Sequence, residues 1–170
     1  MRYAALNHRI PSLAYAFEEK DDYSISKEGL AATGLRPGPW IEELKALARS
    51  GGRKDLLVQG SPQPFDRLQG LLVHKKGRRI AYLTDFIFEE GTLDTILPLA
   101  RGVDRLYCES NYAEADEELA RKNYHLTTKQ AAQIARACEA RELVLFHFSV
   151  RYPDWEPLFQ EARAYFENVR

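Results

Sequence analysis

A chain of 170 residues with 45% hydrophobic residues is long enough to bury a real core and fits one domain, expected over residues 1–170. Its net charge of −1 excludes whole-chain attraction to nucleic acid and leaves only local basic patches, of which KKGRR (Lys75 to Arg79) is the densest. No membrane span, signal peptide, repeat or low-complexity stretch is visible. The two cysteines lack metal-motif spacing, so a cytoplasmic protein with reduced core thiols is expected.

In chain order, Met1 to Leu6 is mildly apolar, with no leader expected, and SLAYAFEE (Ser12 to Glu19) alternates like a strand. A short helix after Ser26 would end at Gly34. TGLRPGPW is a turn, and a helix from Pro39 puts Ile41, Leu44 and Ala48 on one face before Ser50-Gly51-Gly52 stops it. DLLVQG and GLLVHKK read as short strands around the proline-rich loop SPQPF. KKGRR reads either as a patch for phosphates or as a solvated hairpin turn around Gly77. This half is irregular and strand-poor, so its elements are expected to need something else to pack on.

Beyond Gly77 the pattern becomes regular. A strand over 79–84 precedes a helix with Leu93, Ile96, Leu97 and Ala100 on its apolar face, and a strand follows over 103–109. A helix is predicted through 114–123. The next carries Ala131, Ile134, Ala135 and Cys138, capped by Thr127 or Thr128. A strand over 142–148 and a last helix with Trp155, Leu158, Phe159, Ala162 and Phe166 facing a core complete the chain. Strands alternating with helices predict a layered α/β architecture.

The chemistry-bearing residues fall at the ends of these runs. Asp85 closes RIAYLTD, Glu109 closes the apolar part of VDRLYCES, His147 closes LVLFH, and His125 sits in YHLTT at the head of a helical pattern. Each has an ordinary explanation: Asp85 as a turn former, Glu109 as a helix cap, His147 as a satisfied core histidine. Together they would converge on one rim of a sheet, where ligands and catalysts of α/β proteins collect. An aspartate and two histidines from separate elements are also donors that zinc accepts. Beyond His147, HFSVRY offers Ser149 and Arg151, a hydroxyl and a guanidinium suited to phosphate oxygens.

Five segments in order resemble the ribonuclease Z family, tRNA 3′-end-processing endonucleases of the metallo-β-lactamase superfamily. LNHRIPSLAYAFEEK is similar to the family's metal-binding histidine and following strand, and GLRPGPW to its proline-glycine turn. AYLTD resembles the strand ending in a bridging aspartate, CESNYAEADEELARKNYHLTTKQAA the acidic and histidine stretch, and LVLFHFSVRY the terminal histidine motif. The resemblance covers nearly the whole chain and implies the carboxyl-terminal half of an αββα metallo-β-lactamase-like sandwich.

The same resemblance implies an endonucleolytic phosphodiesterase that removes 3′ trailers from precursor tRNA with two zinc ions. His8 and His147 would each bind one ion and Asp85 would bridge them. His125 would protonate the leaving ribose oxygen, oriented by Glu109, with Ser149 and Arg151 at phosphate. The family's HxHxDH motif, source of four further ligands, does not occur in the chain and is expected upstream of Met1. Phe86 replaces a threonine after the bridging aspartate, and Glu109-Ser110-Asn111 replaces Glu-Ala-Thr. The family implies a homodimer or a complementing amino-terminal half as partner. Two other readings stay open: another hydrolase of the same fold, and a non-catalytic half-domain that dimerises or scaffolds a partner.

Overall fold

The computed structural model describes residues 1–170. In chain order it contains β1 (Arg2–Leu6), β2 (Ser12–Glu18), β3 (Asp22–Ile25), α1 (Lys27–Thr33), α2 (Trp40–Ser50), β4 (Leu56–Val58), β5 (Ser61–Gln63), α3 (Phe65–Gln69) and β6 (Leu72–Lys75). There follow β7 (Arg79–Leu83), α4 (Thr92–Ala100), β8 (Arg105–Glu109), a 3₁₀ turn, α5 (Glu117–Asn123), α6 (Thr128–Ala137), β9 (Leu143–Phe146) and α7 (Glu156–Arg163). The chain divides into two compact units, one of Met1–Glu18 with Arg78–Arg170 and one of Glu19–Gly77. No helix is long and apolar enough to cross a membrane.

The first unit is built on a five-stranded sheet of order β1-β2-β7-β8-β9. β1 and β2 pair antiparallel, β2 pairs antiparallel with β7, and β7, β8 and β9 run parallel. Two reversals restore direction, so β1 points the same way as the three parallel strands. The carboxyl ends of four strands therefore share one rim. Parallel strands need crossover connections, supplied here by α4 between β7 and β8 and by α5 and α6 between β8 and β9.

Strand periodicity decides which side is core. Ala14, Ala16, Ala81, Leu83, Leu106, Cys108, Leu143 and Leu145 are buried, and they join Ile96, Leu99 and Ala100 of α4 and Ala131, Ile134 and Ala135 of α6 in one apolar cluster. On the alternate positions, Tyr3, Tyr15, Tyr82 and Tyr107 stand opposite one another across four strands. Tyr3, Phe17 and Tyr82 on that side are exposed. The capping of α6 is settled: Thr127 accepts from the Gln130 amide while the Gln130 side chain accepts from the Thr127 amide, a capping box.

The second unit corrects the reading of the irregular half. It has its own buried cluster of Leu30, Trp40, Leu44, Leu56, Val58, Phe65, Leu68 and Leu71, so its elements pack on each other. SPQPF is not a loop: Ser61–Gln63 pairs with Leu56–Val58 in a hairpin, and Phe65 opens α3. The hairpin turn needs left-handed backbone at both central positions, found at Gln59 (φ 52°) and Gly60 (φ 80°). β6 pairs with β3, a strand the sequence reading had not marked. The expected helix after Ser26 is present, capped by the Ser26 hydroxyl and ended by left-handed Gly34.

Gly77 is not the tip of a hairpin. The two strands flanking it belong to different sheets, and the chain there runs hard against its own entry point: a Cβ on Gly77 would lie 1.9 Å from the Glu19 carbonyl oxygen. At the carboxyl end, Leu158 and Ala162 of α7 are buried as expected, but Trp155 is 52% exposed. It stacks on Phe148 at 5.2 Å between ring centroids.

Candidate metal centre and proton-transfer pair

The rim built by β1, β7, β8 and β9 gathers the histidines and carboxylates that the sequence had scattered. Asp85 leaves β7 in a bend. Beside it Phe86 is fully buried, which anchors the backbone behind the carboxylate. The Ile87 amide donates to the Asn7 carbonyl at 3.0 Å, tying this loop to the end of β1. Asp85 Oδ1 accepts from the Thr84 hydroxyl at 3.1 Å and pairs with His147 Nδ1 at 2.9 Å.

His147 follows β9 with φ 62°, a left-handed conformation uncommon for a side chain with Cβ. Asn111 supports it by donating its side-chain amide to the His147 carbonyl at 2.8 Å and accepting the Ser149 amide at 3.0 Å. Asn111 is a site residue that the sequence reading missed, although it had noted Asn where the family has Thr. The signal lay in that departure, since only the amide of Asn brings an N–H donor to the position.

Glu109, at the end of β8, has no exposed surface. Its Oε1 accepts the Phe86 amide at 3.0 Å and lies 3.1 Å from His125 Nδ1, while Oε2 is buried with no hydrogen-bond partner. The departure at Phe86 is thus harmless to this contact, because the backbone and not the side chain is used. The hydrogen bond to Glu109 raises the His125 pKa above the ordinary histidine value; burial opposes the shift, and the Glu109 and Asp85 charges add to it. An ionised carboxylate only accepts, so Nδ1 of His125 carries a proton and Nε2 is the atom left to exchange one.

Asp85, His125 and His147 each offer a ligand atom, and these atoms all lie within 4.8 Å of one another. One carboxylate and two imidazoles are donors that a borderline divalent cation accepts, but with Nδ1 held by Glu109 the one free nitrogen of His125 serves either as a ligand or as a proton donor, not as both. His8, just beyond β1, lies at the same rim with its ring 5.3 Å from that of His125, and His125 is 5.1 Å from His147. His8 Nδ1 sits 2.9 Å from the Tyr124 carbonyl oxygen.

Ser149 and Arg151 are engaged locally. The Ser149 hydroxyl accepts from the Arg151 amide at 3.4 Å, and the Arg151 guanidinium pairs with Asp116 at 3.4 Å beside the rings of Tyr112 and Tyr152. His74 is exposed and pairs with Asp21.

A family model described as a beta-lactamase superfamily domain matches residues 46–148. Ribonuclease Z of Deinococcus radiodurans is 39% identical over 168 residues, covering 97% of this chain and 49% of its own length. Ribonuclease Z of Chlamydia muridarum is 34% identical over 166 residues, covering 96% and 49% respectively. Human tRNase Z, short form, superposes with a TM-score of 0.48 at 22% identity, covering 88% of this chain and 35% of that chain. The chain spans about half the length of the curated relatives it matches. The resemblance read from five motifs therefore extends over nearly all of the 170 residues, and the chain belongs to the beta-lactamase superfamily, with the α/β metallo-β-lactamase fold.

Proposed function

We propose that this rim is one side of the catalytic centre of a zinc-dependent phosphodiesterase of the ribonuclease Z kind, which removes 3′ trailers from precursor tRNA. The observation that carries the reading is the buried Glu109 carboxylate 3.1 Å from His125, immediately beside the Asp85 and His147 donors. Cleaving an RNA strand expels a ribose alkoxide, a poor leaving group that needs a proton. His125, whose affinity for a proton Glu109 raises, would give it from Nε2. Asp85, His147 and His8 would hold zinc, and bound zinc would supply a hydroxide near neutral pH and a positive field for phosphoryl oxygens. Ser149 and Arg151 would contact phosphate once Arg151 exchanges Asp116 for substrate. The remaining donors come from polypeptide outside these 170 residues, as the half-length match to the relatives supports. That polypeptide is either the rest of a longer chain or a complementing half.

Two measurements test this. In the complete protein, His125→Ala should lower precursor tRNA cleavage by about 10²–10⁴-fold while sparing hydrolysis of a nitrophenyl phosphodiester, whose leaving group hardly needs protonation. Equal loss on both substrates rejects the acid role. Elemental analysis of the purified chain should find zinc that Asp85→Ala abolishes; zinc content independent of Asp85 rejects the proposed metal site.

A further inference from the structure

His8 is held from a direction that determines which of its nitrogens is free. Its Nδ1 lies 2.9 Å from the Tyr124 carbonyl, and a carbonyl can only accept, so Nδ1 bears the proton. In the neutral ring that metal binding requires, the lone pair is then on Nε2. The carbonyl is aimed by an unusual backbone: Tyr124 ends α5 in the left-handed region at φ 63°, with its amide turned back to the Ala120 and Arg121 carbonyls.

The neighbouring residue secures this arrangement. Arg9 Nη2 donates to the Lys122 carbonyl at 2.6 Å and to Asn123 Oδ1 at 3.3 Å, and its guanidinium lies 5.7 Å from the Tyr124 ring centroid. Lys122 belongs to the last turn of α5, whose carbonyls have no partner within the helix and carry partial negative charge. A guanidinium is the side chain best suited to bind there while lying against an aromatic ring. The turn Lys122–Tyr124 leads directly into His125, so one short segment sets the places of both His8 and His125.

We propose that Arg9 and the Tyr124 carbonyl form a latch that fixes the tautomer and orientation of His8, presenting Nε2 toward the metal and holding it in register with His125. Arg9 is a positioning residue here; it touches neither metal nor substrate. The proposal rests on His8 being a metal ligand, as argued above, but its first prediction does not.

The test is ¹⁵N NMR of the imidazole rings in the metal-free chain, followed by zinc titration of the same chain against a chelating dye. His8 should show the Nδ1–H tautomer. Arg9→Ala should convert it to an averaged mixture and weaken zinc binding by about 10–100-fold, the usual effect of losing a contact that orients a ligand. Arg9→Lys, which keeps a donor for the Lys122 carbonyl, should restore part of both. An Nε2–H tautomer in the unmodified chain overturns the latch. So does an Arg9→Ala protein that melts earlier with tautomer and zinc affinity unchanged, because Arg9 would then only stabilise the loop. If the NMR predictions hold but zinc does not bind, the latch stands and the metal reading of His8 fails.

Discussion

At the scale of single residues, burial and partnership settle what each titratable group can do. Glu109 is the pivotal case: a carboxylate removed from water, holding one backbone amide and one imidazole. Glu109→Gln preserves an acceptor for the Phe86 amide but removes the charge facing His125. The His125 titration followed by NMR should therefore move to lower pH in that variant. The folded-state pKa of His125 is raised above its ordinary value of about 6.5. Its pairing thus stabilises the fold fully below that value, and the contribution is lost as pH rises through the folded pKa. The stability gap between the unmodified chain and His125→Ala, read from urea melts, should be wider at about pH 6 than at about pH 9.

The two thiols behave in the opposite way, as groups kept out of chemistry. Cys108 is fully buried, and desolvation pushes its pKa well up, with the neighbouring Glu109 charge adding to the shift. Burial pushes the Cys138 thiol to about 12. Alkylating reagents require thiolate, so the native chain should leave both cysteines unmodified at mildly alkaline pH and the unfolded chain should label both. Rapid native labelling of either would contradict this burial.

At the scale of elements, the sequence was most readable where a strand or helix presents a regular apolar face. β7, β8, β9, α4 and α6 could be located, and the candidate site residues at the strand ends with them, because alternation and helical spacing report burial directly. Boundaries were less visible. β9 stops at Phe146 because His147 turns left-handed, and no periodicity signals a left-handed histidine. Residues 19–77 were read poorly for a different reason. Three-residue strands and a five-residue helix are too short to show a period, and their pairing of β3 with β6 joins segments far apart in sequence. The proline in Ser61–Gln63 argued against a strand, yet it sits in a two-stranded ribbon, which has edges on both sides. Gly77 marks the place where this element set closes on itself. Gly77→Ala should cost at least about 2 kcal/mol of stability in a denaturant titration, since overpacking against backbone cannot be relieved by a side-chain rotation. A neutral result would mean that the Glu19 backbone yields.

At the scale of the whole molecule, the sheet explains how residues separated by more than a hundred positions come to share a site. His8 and His147 share a rim, each beside His125, because β1 regains the direction of β7, β8 and β9 through two antiparallel pairings. Spacing along the chain cannot show this, and only the family resemblance points to His8. A metal held by this rim binds the folded state in preference to the unfolded one. Zinc at about a hundred times its dissociation constant should raise stability by about 2.7 kcal/mol, reversed by chelator and absent in Asp85→Ala. An unchanged melting temperature would speak against a folded-state metal site. The division into units has a consequence for synthesis. Residues 1–18 belong with 78–170, so β2, already paired with β1, must wait for its second partner β7, made about sixty residues later. Residues 19–77 contain all their own pairings and core, and can finish folding while the ribosome is still making that partner. Once folded, they hold Glu19 against Gly77 and so shorten the effective loop that β2 and β7 have to close. The inserted unit thereby acts as a folding clamp for the sheet that carries the candidate site, and hydrogen-exchange pulses during refolding should show amides of β3, β4 and β6 protected before those of β2.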